Sequence, residues 1–250
     1  MKKILDNNSK FYNKNGWVVE KNLFSQKKVE DLKLSIKQYL KKNLKKYKGR
    51  EINFYGKVKN VNNINSFHKL EDVPAIKNLI LNSKINLLAK KYIYSKKIKL
   101  RACELFAKPA KKGLAAPVHQ DNYYWCLKKG SAITIWVAID KVNSRNGGVF
   151  YFNQSHKIGL MEHVASFQKG SSQKISDLQK LKKYKKVTPK LNPGDCLIHH
   201  CLVAHGSNKN LSSNPRMGFT FQFKDYSDRH DLKMKKKYES SLFNQIQSRL

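Results

Sequence analysis

From about Ile98 to Phe223 the chain is a succession of short β-branched and aromatic runs cut by turn signals, with no helical period between them. The runs are Leu100–Ala107, Ala132–Ile139, Gly148–Phe152, Asp195–His200 and Met217–Phe223. Lys129-Gly130, Asn146-Gly147-Gly148, Asn192-Pro193-Gly194-Asp195 and Asn214-Pro215 separate them. Parallel strands need crossover segments of about a dozen residues or more, usually helices, so strands without them pair antiparallel. Such a set buries its apolar side by closing into a barrel or stacking as a jelly roll. The expected fold is therefore mainly β with flanking helices (α+β), in one domain over 1–250. Its jelly-roll core covers 98–226, after a helical N-terminal elaboration over 1–97 and before a basic, helical tail over 227–250. The Ser- and Lys-rich stretch 160–190 reads as a long excursion from the core.

The N-terminal third shows a different period. Gly16–Glu20 reads as a short strand. After Ser25, Val29, Leu32, Ile36, Leu40 and Leu44 recur at helical spacing and predict a helix from Gln26 to about Tyr47. A second helix is expected from Val73 to about Ile93, with Asp72 as its N-cap and Pro74 in its first turn.

Composition narrows the function classes. A 40% hydrophobic share with 3 Trp, 12 Tyr and 12 Phe supports a real core. No apolar run approaches the roughly 18 residues of a membrane span, and the N-terminus lacks the apolar stretch of a secretory signal. Cys103, Cys126, Cys196 and Cys201 make no disulfide framework in a chain of 250 residues, so reduced thiols and a cytoplasmic location are expected. The net charge is +34, yet only six of the 51 basic residues are Arg. That pattern reads as compositional bias toward Lys on a solvated surface, together with mild steering of an anionic substrate. Nucleic acid gripped by the Lys stretches 41–48, 182–186 and 233–237 is the alternative, disfavoured by the scarcity of Arg. A monomer or weak homo-oligomer is expected.

The chemistry concentrates in His119-Gln120-Asp121, His205 and Arg216, which lies eleven residues beyond His205. In an extended segment His119 and Asp121 point the same way. A second imidazole from another strand completes two histidines and a carboxylate, the set associated with non-haem Fe(II) oxygenases. If the strand ending in His205-Gly206-Ser207 and the strand from Arg216 form a hairpin-like pair, Arg216 lies beside His205 inside the barrel. A buried Arg is costly without a carboxylate partner, and its planar fork suits one bidentately. A metal with an interior Arg suits a dicarboxylate co-substrate. His163, His199 and His200 compete as the distal ligand, with a core histidine the default reading for the last two. A zinc set of Cys196, His199, His200, Cys201 and His205 is conceivable but lacks a C-x-x-C knuckle. Asn122, Tyr123, Tyr124 and Trp125 read as substrate pocket or core alike, and Lys108 with the Lys-rich excursion points to an anionic substrate.

Several ordered stretches carry a resemblance. They are Pro117–Trp125, Ala132–Asp140, Asn146-Gly147-Gly148, Gln154–Gly159, Asn192–Asp195, His205–Asn210 and Asn214-Pro215-Arg216, with Asn15–Val19 and Phe106–Pro109 before them. Over about residues 10–223 the chain resembles the phytanoyl-CoA dioxygenase family of Fe(II)/2-oxoglutarate oxygenases. The resemblance implies a double-stranded β-helix, or cupin-like jelly roll, with His119, Asp121 and His205 as iron ligands. It implies Arg216 on the distal carboxylate of 2-oxoglutarate, Ser207 and Thr134 as hydrogen-bonding helpers, and Trp136 as a wall of that pocket. Fe(II), 2-oxoglutarate and O2 would be consumed or held there to hydroxylate a small, anionic organic substrate with release of succinate and CO2. Related halogenases lack the carboxylate that Asp121 supplies, so hydroxylation is the implied outcome. One departure stands out: Asn153 and Gln154 replace the Pro and Gly that commonly precede Ser-His in the family, which alters a turn and not the metal set. A nucleic-acid-directed oxygenase and a non-catalytic cupin-like module are the alternatives.

Overall fold

The computed structural model describes residues 5–81, 83–168 and 170–248. Thirteen strands are described: β1 (Trp17–Glu20), β2 (Ile52–Phe54), β3 (Ile64–Phe67), β4 (Ile98–Lys108), β5 (Ala116–His119), β6 (Ala132–Ala138), β7 (Val149–Phe152), β8 (His163–Gln168), β9 (Ser171–Ile175), β10 (Lys186–Val187), β11 (Cys196–His200), β12 (His205–Ser207) and β13 (Arg216–Asp225). The helices are α1 (Asn7–Asn15), α2 (Gln26–Asn43), α3 (Pro74–Ile80), α4 (Ser83–Ile93), α5 (Asp121–Trp125) and α6 (Leu232–Gln247). The strands form a seven-stranded sheet ordered β1-β11-β6-β13-β4-β3-β2, a four-stranded sheet ordered β10-β7-β12-β5, and the separate hairpin β8-β9. This is the layered jelly roll, two antiparallel sheets rather than a closed barrel.

Strand alternation sorts the large sheet into two faces. Ile133, Ile135 and Val137 of β6 and Phe219, Phe221 and Phe223 of β13 pack in one core with Val29, Leu32, Ile36 and Leu40 of α2 and Ile85, Ala89 and Tyr92 of α4. The residues between them, Thr134 and Trp136 on β6 and Arg216, Thr220 and Gln222 on β13, line a cavity on the opposite side. Helices thus cover one face of the sheet and leave the other for chemistry. The N-terminal segment supplies these helices and, in addition, β1, β2 and β3.

Two local expectations are corrected. The helix expected over Val73 to Ile93 is broken into α3 and α4, and its N-cap is Val73, not Asp72, whose carboxylate instead accepts from the Tyr47 hydroxyl at 2.7 Å. The expected hairpin between the His205 and Arg216 strands does not form. β12 pairs with β5 and β7 in the small sheet, whereas β13 pairs with β4 and β6 in the large one. His205 and Arg216 therefore reach the same cavity from different sheets. The stretch 160–190 holds a hairpin and β10 rather than loop alone, and the tail is the helix α6.

Candidate active site

Three side chains converge where the small sheet opens onto the cavity. His119 ends β5 and faces His205 of β12 across the register. Asp121 opens α5, two residues on, after the extended residue Gln120. The Nδ1–H of His119 donates to the Pro117 carbonyl at 2.8 Å, and that of His205 to the Val203 carbonyl at 3.0 Å. Each ring is thereby fixed with Nε2 turned to the centre, the outer bond that orients a metal-ligating imidazole. Asp121 Oδ1 lies 3.7 Å from His119 Nε2 and 3.6 Å from His205 Nε2. Among the described residues these three form the one group of metal-ligating side chains with all donor atoms within 4.8 Å of one another. Burial, then the neighbouring His119, holds the His205 imidazole well below the usual histidine range, so its Nε2 keeps a lone pair. Burial opposes the charge on Asp121, but His205, His119 and His199 hold its carboxyl well below the usual carboxylate range.

The other oxygen of Asp121 is engaged. Oδ2 accepts from Thr134 Oγ1 at 2.7 Å and from His199 Nε2 at 3.0 Å. Thr134 and His199 are direct partners across β6 and β11, so one strand pair holds the carboxylate. The Tyr151 hydroxyl in turn meets His199 Nδ1 at 2.9 Å. Thr134 thus gives its hydroxyl proton to the carboxylate of the triad. His199, read from sequence as a core histidine, is buried but belongs to this network. The signal for it is the inward alternation it shares with Thr134, visible only once the strands are paired.

Deeper along the same cavity lie two buried basic side chains. Arg216 and Lys108 are register partners at the ends of β13 and β4. Arg216 donates through Nε and Nη2 to the Gly147 carbonyl at 3.2 and 2.7 Å and lies 5.3 Å from the Trp136 ring. Lys108 Nζ donates to Ser207 Oγ at 2.7 Å and to the Asn208 carbonyl at 2.6 Å. Among the described residues no carboxylate pairs with either. Burial, and then the Arg216 charge, pushes the Lys108 amine down to about 6, and burial pushes Arg216 down to about 10. Two glycines make this packing possible. A Cβ on Gly147 would meet the Asn208 carbonyl and Lys108 Cδ, each at 2.8 Å, and one on Gly218 would meet the Trp136 ring at 2.0 Å.

The cavity holds about 470 Å³ and is lined by both sheets, the β8-β9 turn and α6. Tyr124 and Trp125 line it, whereas Asn122 and Tyr123 do not: Asn122 bonds to Leu127 and Tyr123 stacks on His163. His163 and His200 lie outside the triad, and the four cysteines are free and buried, with no zinc set among the described residues. The turn at the family departure is also explained. Asn153 accepts from the Trp17 indole at 2.8 Å, and Gln154 adopts the left-handed conformation, with φ 67°, that a glycine would adopt more readily.

The family model for phytanoyl-CoA dioxygenase matches residues 12–218. The chain belongs to that family. Phytanoyl-CoA dioxygenase of Arabidopsis thaliana is 27% identical over 158 residues, 62% of this chain and 53% of that protein. The 1-deoxypentalenic acid 11-beta-hydroxylase of Streptomyces exfoliatus is 32% identical over 116 residues, 42% of this chain and 38% of that protein. The chain thus spans about half, or less, of the length of these curated relatives. Among solved structures, EctD from S. alaskensis with 2-oxoglutarate and 5-hydroxyectoine superposes with a TM-score of 0.75 at 19% identity, covering 91% of this chain and 78% of that one. The non-heme alpha ketoglutarate dependent carbocyclase SnoK gives 0.72 at 19% identity, covering 91% and 87%. At that identity the two structures speak to the family's fold. No helix among the described residues is long and apolar enough to cross a membrane.

Proposed function

We propose that this protein is an Fe(II)- and 2-oxoglutarate-dependent dioxygenase that hydroxylates a small, anionic organic substrate and releases succinate and CO2. The observation that carries the reading is the pairing, in one cavity, of a two-histidine, one-carboxylate set with two buried basic side chains that pair with no protein carboxylate. The donor set fits a divalent iron: two imidazole nitrogens and one carboxylate oxygen, with the opposite side open to the cavity. The cations fit the far carboxylate of 2-oxoglutarate.

His119, Asp121 and His205 would hold the iron, which supplies O2 activation when bound. Thr134 and His199 hold Asp121 so that one oxygen stays directed at the metal position. Arg216 and Lys108 would bind the distal carboxylate, with Ser207 fixing the Lys108 amine and Trp136 walling the pocket against water. The free, buried cysteines support a reducing, cytoplasmic setting.

The test is succinate formation from 2-oxoglutarate with Fe(II) and O2, with and without a library of organic acids. His205→Ala is expected to abolish turnover, and full turnover in that variant would remove His205 from the site. Arg216→Ala is expected to raise the KM for 2-oxoglutarate at least about tenfold, the scale of a lost charge-assisted hydrogen bond. An Fe(II) titration that shows no binding would favour a non-catalytic cupin-like module instead.

A further inference from the structure

The open end of the cavity carries a third cation that the reading above does not use. Arg101 sits at a β-bulge. The register of β4 on β13 passes from Ala102↔Gln222 directly to Leu100↔Phe223 and leaves Arg101 without a partner. Counted back from Cys103 and Leu105, which face the helices, strict alternation would turn residue 101 into the apolar core. The extra residue lets Leu100 take the core position and turns Arg101 to the cavity, which is how bulges re-aim side chains beside active sites.

Arg101 is held once it is there. Its Nη1 donates to Gln222 Oε1 at 2.6 Å, and its guanidinium lies 4.9 Å from the Trp125 ring. The Gln222 amide donates to Glu104 Oε2 at 2.5 Å, and Glu104 Oε1 meets His68 Nδ1 at 2.7 Å. Burial works against a charged His68, but Glu104 beside it lifts the imidazole above the usual histidine range, and Glu104 is also the foremost negative charge acting on Arg101. Among the described residues Arg101 has no carboxylate ion pair of its own. Arg50 reaches the same end, close enough that it and Arg101 both act on the Tyr238 phenol. Beside these cations the wall is aromatic and aliphatic, with Tyr124, Trp125, Tyr238, Leu242 and Ile246.

We propose that Arg101 recognises an anionic group, a carboxylate or a phosphate ester, on a prime substrate whose apolar body lies against α6 and Trp125. Gln222, tethered through Glu104 and His68, is the positioning residue that keeps the fork aimed. This rests on the reading of the site as a 2-oxoglutarate-dependent oxygenase, and the two fail separately.

The experiment titrates the protein with phenylacetate, phenyl phosphate and the neutral phenylacetamide, under anaerobic conditions with Fe(II) and saturating 2-oxoglutarate so that Lys108 and Arg216 are engaged. One or both anions are expected to bind at least about tenfold more tightly than the amide. The anion with the larger gain distinguishes carboxylate from phosphate. In Arg101→Gln the anion-to-amide ratio is expected to fall toward one while the amide still binds, and in Arg101→Lys it is expected to persist in part. Equal binding of anions and amide by the unmodified protein, including no binding by any, overturns the proposal. So does a ratio that survives Arg101→Gln, or a variant that loses the amide too, since the residue would then shape the cavity rather than supply charge. Absence of 2-oxoglutarate turnover in the succinate assay overturns the oxygenase reading instead and leaves the titration to be judged alone.

Discussion

Lys108 carries a pH consequence that two measurements can read. Its amine titrates at about 6 in the ligand-free cavity rather than at 10.5, and an anion laid against it favours the protonated form. Binding of 2-oxoglutarate therefore takes up a proton between those values. The KM for 2-oxoglutarate is expected to rise with pH above about 6, and a pH profile of Lys108→Met is expected to lack that rise. The same displacement makes the ligand-free protein gain stability as pH climbs from about 6 toward 10.5, because the unfolded chain still carries the proton that folded Lys108 has released. Thr134 gives a second outcome. Thr134→Val keeps the shape but removes one donor from Asp121 Oδ2. Equilibrium dialysis is expected to show Fe(II) affinity lowered by about 10- to 100-fold, the usual cost of losing an outer-shell partner. Residue chemistry of this kind is half legible in sequence. His119, Asp121, His205 and Arg216 announce themselves by type, spacing and motif. Thr134 and His199 do not, because their role depends on which strand lies beside which.

Pairing decides matters at the level of elements. The alternation of β6 and β13 is plain in Ala132–Ala138 and Met217–Phe223, and so are the turn residues between strands. Sheet membership is not plain, because β12 and β13 are joined by a short loop that reads as a hairpin yet crosses between layers. Hairpin and crossover loops use the same Asn, Gly and Pro residues. The helical period also runs straight from Val73 to Ile93, whereas α3 ends at Ile80 and α4 begins at Ser83. Gly218 tests how closely the elements fit. In Gly218→Ala the new methyl occupies the Trp136 ring position, so β13 or Trp136 must shift. Thermal unfolding is expected to show a loss of about 1–3 kcal/mol, the range for overpacking a tight core. The variant is expected to bind 2-oxoglutarate more weakly as well, since the guanidinium of Arg216 lies over that ring.

Across the whole molecule the net charge of +34 includes two contrasting populations. The lysines of 41–48, 182–186 and 233–237 are exposed, where screening by salt limits each to a long-range, non-specific effect. A modest rise in KM for 2-oxoglutarate with ionic strength is expected from them, and duplex DNA is expected to bind no more tightly than the roughly 10⁻⁴–10⁻⁶ M of non-specific contacts at physiological salt. Tight DNA binding with a steep salt slope would restore the nucleic-acid alternative. The helix α6 lies beyond the residues matched by the family model and still lines the cavity. The second population is the buried pair, Lys108 and Arg216, set side by side with no acid between them. Burial and the Arg216 charge make Lys108 shed its proton in the ligand-free cavity, and a bound dicarboxylate restores that charge and balances both groups. A ligand that binds only the folded chain adds about 2.7 kcal/mol at a hundred times its Kd. Thermal melts and limited proteolysis are therefore expected to show resistance that rises with added 2-oxoglutarate.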